Sequence, residues 1–521
     1  MKGAQRLIRT LVEGGVDVCF MNPGTSEMHF VAALDDVPEM RAVLGLFEGV
    51  ATGAADGYGR MARRPAATLL HLGPGLGNGI ANLHNARRAR TPVVNVVGDH
   101  ARRHLPFDPP LASDIESLAR PVSAWYRASS DPRDLAADAL EALSAAWGPP
   151  GAVATLVVPA DVSWEEAGED DAAPAFVRGS PRSAAETALS RAAKALRSGE
   201  PAALLIGGSV TRRRGLVAAG QVACAAGAKL LCETFPARLE RGAGLPEVER
   251  LGYLAEFALA QLEGTRHLIL VDAPAPVSFF AYPGVRGTPV PDGCEVHLLA
   301  GAGDDGPAAL EALADMLGAD ATTSPPPPPW RPARPTGPLT SQAVAAAVGA
   351  LLPEGAVVSD EANTAGIFLP GATAGAPAHD WLCLTGGAIG QGMPLATGAA
   401  VACPGRPVLC LEADGSAMYT IQSLWTQARE GLDVTTVVYN NGAYKILEME
   451  LQRVGAEAGG PRAQEMLDLA RPDLDFAALA RGMGVPASRA RTAEEFTDHL
   501  EAALSQEGPV LVEAVLDRSQ W

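Results

Sequence analysis

The stretch PVLCLEADGSAMYTIQSLWTQAREGLDVTTVVYNNGAY, residues 407–444, decides how this chain is read. It opens with a short apolar run from Pro407 to Leu411, the pattern of a strand buried on both faces. The run leads into Glu412, Ala413, Asp414, Gly415 and Ser416. A helical pattern follows to about Arg429, and Gly431 stops it. A second apolar run then ends in Asn440 and Asn441. The unit is strand, helix, strand, with its polar residues at the carboxyl ends of both strands, where open α/β sheets form their ligand crevice. Asp414 and Asn441 are 27 positions apart and can therefore lie side by side as oxygen ligands. A carboxylate, an amide oxygen and a nearby carbonyl suit Mg2+, which keeps octahedral oxygen coordination and bridges phosphate oxygens. Gly415 lets the backbone pass close to a phosphate. The stretch predicts a diphosphate cofactor held through Mg2+.

The same residues resemble the diphosphate-anchoring signature of thiamin diphosphate enzymes, a Gly-Asp-Gly followed about two dozen residues later by Asn-Asn. Ala413 stands where the first glycine would be, a departure that tightens the turn without removing a ligand. The resemblance implies that Asp414 and Asn441 coordinate the metal by side chain and Ala443 by its carbonyl. It also implies that Ala413, Gly415, Ser416 and Tyr444 contact the cofactor.

The chain's 521 residues are enough for roughly three domains. The net charge of −19, from 41 basic and 60 acidic residues, is spread along the chain and repels nucleic acid and anionic membrane. No apolar run is long enough to span a bilayer. The N-terminal MKGAQRLIRTLVEGG is an amphipathic helix interrupted by Arg6, Arg9 and Glu13 rather than a signal peptide, so a cytoplasmic protein is expected. Seven cysteines show no CxxC pairing and read as reduced thiols, which supports neither a zinc site nor a disulfide framework.

The fold class expected is α/β, with three doubly wound parallel-sheet domains. Residues 1–165 alternate helix and strand. Within them, residues 72–79 (LGPGLGNG) form a glycine-rich loop between strand and helix, but no register satisfies GxGxxG, which disfavours a Rossmann cofactor. An acidic linker, residues 164–185, leads to a second α/β block, residues 186–320, with strands near Ala202, Lys229, His267 and Glu295. A Pro-rich spacer, residues 321–338, is extended and semi-rigid. The third block, residues 339–521, contains the opening stretch.

Glu48 ends an apolar strand run, where a carboxylate needs a partner; burial there favours its neutral form. The bland alternative is an acid facing the helix that follows it. Set beside Asn22-Pro23-Gly24-Thr25-Ser26-Glu27 and Ala55-Asp56-Gly57-Tyr58-Gly59-Arg60, it resembles the pyrimidine-binding half of a thiamin diphosphate enzyme, in which a glutamate touches N1′ of the aminopyrimidine. The resemblance then covers all three blocks in order: pyrimidine-binding, middle and diphosphate-binding. It is nearest to benzoylformate decarboxylases and acetolactate synthase large-subunit-like proteins. It implies catalytic roles for Glu48, His71 and Thr25, the last in place of an active-site serine. Glu48 also binds cofactor, Asn363 and Thr364 contact the diphosphate, Gly387 lines the site, and Ile389 is the bulky residue that holds the cofactor bent. His71 could instead be a strand-end histidine satisfied by backbone, and His100 a surface-turn residue.

What the resemblance implies is decarboxylation of a small 2-oxo acid, with the enamine either protonated to an aldehyde or transferred to a second carbonyl. Two alternatives stand beside it: an acetolactate synthase proper, for which FAD is possible but not favoured by the short Gly207-Gly208-Ser209 turn, and a silent cofactor-binding relative. Residues 276–283 (PVSFFAYP) lack the second histidine of benzoylformate decarboxylases, which argues against benzoylformate itself. A site gripped from two remote blocks implies a homodimer at minimum, with a homotetramer favoured.

Overall fold

The computed structural model describes residues 1–168, 176–320, 327–456 and 459–517. Parts of both expected linkers, residues 169–175 and 321–326, lie outside the described residues.

Three sheets follow one another along the chain. The first has six parallel strands in the spatial order Arg41–Leu44, Val18–Asn22, Ala66–Leu70, Val93–Asp99, Val153–Pro159, Trp125–Ala128. The second has five parallel strands in the order Glu249–Arg250, Lys229–Cys232, Ala202–Ile206, His267–Val271, Glu295–Ala300. The third has seven: Ala487–Ala490, Val510–Val515, Val434–Asn440, Val408–Ala413, Val357–Glu361, His379–Cys383 and Leu239–Arg241. Strands such as Ala66–Leu70, Ala202–Ile206 and Val153–Pro159 are buried along their whole length, as strands covered by helices on both faces must be. That is why they appear in the sequence as unbroken apolar runs rather than as alternation. The α/β class with three parallel-dominated sheets is the architecture observed.

Two features depart from the sequence reading. Residues 72–79 are not a loop, because the helix Leu72–Ala89 starts immediately after His71. Gly73, Gly75 and Gly79 of this helix sit against Ser113, Glu48 and Thr52, and a Cβ on Gly79 would lie 2.9 Å from Thr52 Cγ2. The last strand of the third sheet comes from the middle of the chain, since Leu239–Arg241 runs antiparallel to His379–Cys383, with Leu239 opposite Trp381.

The first and third sheets dock through Glu48–Ala62 and Gly392–Ala402. A Cβ on Gly57 would fall 2.0 Å from Leu395 O, so the two helices meet at backbone distance. Beside this seam, Arg60 and Asp56 form an ion pair with side chains 1% and 0% exposed. Arg60 also donates to the carbonyls of Cys383 and Ala237 and to Thr385 Oγ1, and Asp56 accepts from Gln391 Nε2 and Thr91 Oγ1. The Asp56–Arg60 motif is thus a structural hub joining all three parts of the chain. Removing one partner would leave a buried charge unpaired, a loss of about 3–5 kcal/mol.

Candidate functional site

A cavity of about 800 Å3 opens at the carboxyl ends of Val357–Glu361, Val408–Ala413 and Val434–Asn440. The first strand supplies Asn363 and Thr364; the second supplies Ala413, Asp414, Gly415 and Ser416. The third supplies Asn441, Ala443 and Tyr444, and Gly387 and Ile389 also line it. Every residue that the sequence placed at the diphosphate end of the cofactor therefore lines one space.

Asp414 begins the helix Asp414–Thr420 and is buried. Its Oδ1 accepts from Gly415 N at 2.8 Å, and its Oδ2 from Asn441 N at 3.0 Å and Gly442 N at 2.7 Å. Burial pushes its carboxyl pKa up, against the pull of those N–H groups. Asn441 Oδ1 accepts from Ala443 N at 2.9 Å, so the side-chain oxygens of Asp414 and Asn441 share one turn. Backbone N–H groups donate to both of the Asp414 carboxylate oxygens, and a divalent cation beside them would offset the cost of burying the carboxylate's charge. The donor set is hard oxygen throughout, and it fits Mg2+. Asn363 holds a left-handed backbone, φ 52°, that asparagine tolerates better than most residues, and its Nδ2 donates to Ser416 Oγ at 2.9 Å. A Cβ on Gly415 would lie 2.3 Å from the Tyr444 ring, so only glycine fits there.

The turn carrying Gly387 and Ile389 is held from two sides. From the helix Leu72–Ala89, Asn85 Nδ2 donates to Ala388 O at 2.8 Å and Asn82 Nδ2 to Gly390 O at 3.2 Å. From below, the buried Glu361 carboxylate accepts from Gly390 N at 2.7 Å and Gly392 N at 2.5 Å. Burial pushes the Glu361 carboxyl up to about 7. Gly387 has φ 75°, and Phe279 lies against it. Phe279 in turn packs with Tyr253, Phe235 and Phe280 at centroid distances of 5.1, 5.6 and 5.7 Å, and all four rings line the cavity. Residues 276–283 thus deliver aromatic carbon, not a histidine, to the site.

Glu48, His71 and Thr25 are not among the residues lining this cavity. They gather in the first sheet, at the carboxyl ends of its strands. Glu48 opens the helix Glu48–Ala62, is 8% exposed, and its Oε2 accepts from Asn78 Nδ2 at 3.0 Å. His71 precedes Leu72, whose φ of 51° is a left-handed conformation that a branched apolar residue adopts only under constraint. His71 Nδ1 lies 2.7 Å from Glu27 Oε2, which also accepts from Gly24 N at 2.7 Å. Ser26 Oγ donates to Glu27 Oε1 at 2.8 Å and lies 3.3 Å from His71 Nδ1. Thr25 is exposed at the start of the same turn. Sequence reasoning did not assign roles to Glu27, Ser26 or Asn78; Glu27 carried a signal, being an acid at the end of a turn after an apolar strand. His100 stacks edge-on with His104, 5.8 Å between centroids.

Residues 1–117 match the thiamine pyrophosphate enzyme N-terminal TPP binding domain, and residues 372–514 match the C-terminal TPP binding domain. A Mycobacterium tuberculosis protein provisionally named acetolactate synthase large subunit IlvX is 61% identical over 99% of both chains. Benzoylformate decarboxylase of Pseudomonas aeruginosa is 30% identical over 96% of both. A solved structure, the thiamine diphosphate-dependent 4-hydroxybenzoylformate decarboxylase of Rhodococcus jostii RHA1, superposes with a TM-score of 0.88 at 25% identity over 99% of both chains. With both TPP binding domains present and full-length relatives at these identities, this chain belongs to the thiamine pyrophosphate enzyme family, in its decarboxylase and acetolactate synthase branch.

Proposed function

We propose that the chain catalyses the thiamin diphosphate- and Mg2+-dependent decarboxylation of a 2-oxo acid with an apolar side chain, the remaining fragment being protonated to an aldehyde or joined to a second carbonyl. The observation that supports this most is the convergence of Asp414, Asn441, Asn363 and the Gly387–Ile389 turn on one cavity walled by four aromatic rings. Bound thiamin diphosphate supplies an electron sink for the pair released as CO2 departs. Asp414, Asn441 and the Ala443 carbonyl would hold the metal, and Asn363 with Gly415 would receive the diphosphate. Ile389, on a turn fixed by Asn82, Asn85 and Glu361, would press on the cofactor rings. Glu48 would hold a proton at the N1′ nitrogen of the aminopyrimidine. When His71 Nδ1–H donates to Glu27, the histidine keeps Nε2 for proton transfer near the reacting carbon. The Phe279 wall excludes water and favours loss of charge on going to products.

The pyrimidine end and the diphosphate end lie in different blocks of the chain, and Glu48 does not line the cavity of its own subunit. The reading therefore places one cofactor between two copies, in a homodimer at minimum and preferably a homotetramer. Ile367 and Tyr419, 60% and 52% exposed at the cavity, are apolar surface of the kind a second copy would cover. Among the described residues no helix is long and apolar enough to cross a membrane.

A second reading is favoured by the name of the 61%-identical relative: condensation of two pyruvates to acetolactate with release of one CO2. One experiment addresses both. The purified protein with thiamin diphosphate and Mg2+ is given a panel of aliphatic and aryl 2-oxo acids, pyruvate included, while CO2 release and product mass are recorded. CO2 from an apolar 2-oxo acid, much reduced in Glu48→Gln, is the expected result. Acetolactate from pyruvate alone would favour the second reading. Tight cofactor binding by calorimetry with no CO2 from any acid would contradict both and leave a silent relative.

A further inference from the structure

The middle sheet carries a cluster that takes no part in the chemistry above. His267 opens the strand His267–Val271, and Glu295 and His297 lie on the neighbouring outermost strand, Glu295–Ala300. In the parallel ladder His267 stands opposite Glu295, and Ile269 opposite His297. Glu295 and His297 are two residues apart, so their side chains leave the same face of the sheet. Three ligand atoms converge there: His267 Nδ1 is 3.1 Å from His297 Nε2 and 3.6 Å from Glu295 Oε2, and the last two are 3.7 Å apart.

These three separations are close to the edges of a metal coordination polyhedron. A point about 2.0 Å from all three atoms exists, lying almost in their plane, and that is the bond length of Zn2+ to imidazole nitrogen and carboxylate oxygen. The surroundings fit as well. His267 Nε2 lies 3.0 Å from Glu200 Oε2, so the Glu200 carboxylate holds the proton on Nε2 and leaves Nδ1 with a bare lone pair facing the cluster. Without a cation, His297 can at most donate one N–H into that lone pair. The Glu295 oxygen, beyond 3.5 Å from both rings, then makes no hydrogen bond to either of them. A cation at the centre satisfies all three atoms at once. His267 is buried whereas the Glu295 side chain is 69% exposed, which leaves an entry path and room for a water as fourth ligand.

We propose that His267, Glu295 and His297 bind a borderline divalent transition-metal ion, Zn2+ or one of similar ligand preference, which clips the outermost strand of the middle sheet to its neighbour. The chemical class follows from two imidazoles and one carboxylate, a set that Mg2+ and Ca2+ do not favour. The clip lies at the sheet's edge, on a strand whose Val296 and Leu298 are 43% and 57% exposed, where pairing with the neighbour is otherwise least supported.

The test uses the full chain carrying Asp414→Ala, so that the strand-end oxygens near the cavity contribute no second metal site, kept reduced and stripped with a chelator. Zn2+ alone is titrated by calorimetry, and bound zinc is counted after gel filtration. The expected result is one more Zn2+ per chain than in the same protein with His267→Ala and His297→Ala, together with a rise in Tm on adding Zn2+ that the double variant lacks. Glu295→Gln alters only an exposed side chain, so it serves if the histidine variant does not fold; it should weaken Zn2+ binding at least tenfold. Equal zinc content and equal Tm response in parent and variants would overturn the proposal.

Discussion

Glu361 illustrates how much a single buried side chain can do without touching the chemistry. Its carboxylate accepts the N–H groups of Gly390 and Gly392 and thereby fixes the turn that presents Ile389. Burial raises its pKa from an ordinary 4.5 to about 7. Between those values the folded chain holds a proton that the unfolded chain has released, so the contribution of Glu361 to stability falls as pH rises from about 4.5 to about 7 and is level above. Glu361→Gln should remove that slope. Denaturant unfolding of the cofactor-free protein at pH 5 and pH 8 should show the wild type losing more stability between the two than the variant, by an amount on the order of 3 kcal/mol. Parallel pH dependences would contradict the assignment. Glu361 was not singled out in the sequence, because its partners Gly390 and Gly392 lie 29 and 31 positions away. Asp414 and Asn441 were legible because their type and position both point to a ligand. Glu27 was passed over because its partner His71 is 44 positions distant.

At the scale of elements, the apolar runs translated directly into strands: Ala202–Ile206, Lys229–Cys232 and His267–Val271 begin at the residues near which the sequence placed them. Parallel strands covered on both sides leave that mark, and amphipathic edges do not. Leu239–Arg241, three residues with two charges, was invisible, since its strand character comes wholly from pairing with His379–Cys383. The glycines of residues 72–79 misled in the opposite direction: low intrinsic helix propensity was overridden by packing against Glu48 and Thr52. Glycine has a different meaning in Glu48–Ala62, where Gly57 admits the Leu395 carbonyl. Gly57→Val should separate that helix from Gly392–Ala402 and displace the 385–392 turn. The expected result is a drop in Tm of several degrees or failure to fold, whereas Gly77→Ala, at a position with open space around it, should change Tm little. Equal Tm values for the two variants would show that the close helix contact contributes nothing.

At the scale of the whole molecule, the three sheets divide the labour. The first carries Glu48 with the His71–Glu27 pair, the third carries the oxygen cradle, and the middle block supplies the aromatic wall. Order along the chain was readable from motifs at both ends, and the distance between those motifs implied a site shared between copies, but the contacts between copies were not legible, because no local sequence signal says which surface another copy will meet. The central claim is that Glu48 of one subunit and Asp414 of another serve the same cofactor. It is tested by mixing Glu48→Gln protein with Asp414→Ala protein under conditions that exchange subunits, and measuring CO2 release from the best 2-oxo acid of the panel. Each parent should be nearly inactive. In a mixed dimer one of the two shared sites receives both intact halves, so random reassortment should restore roughly a quarter of wild-type activity. No recovery, although mixed dimers are demonstrated by mass, would contradict the claim and place the complete site within one chain.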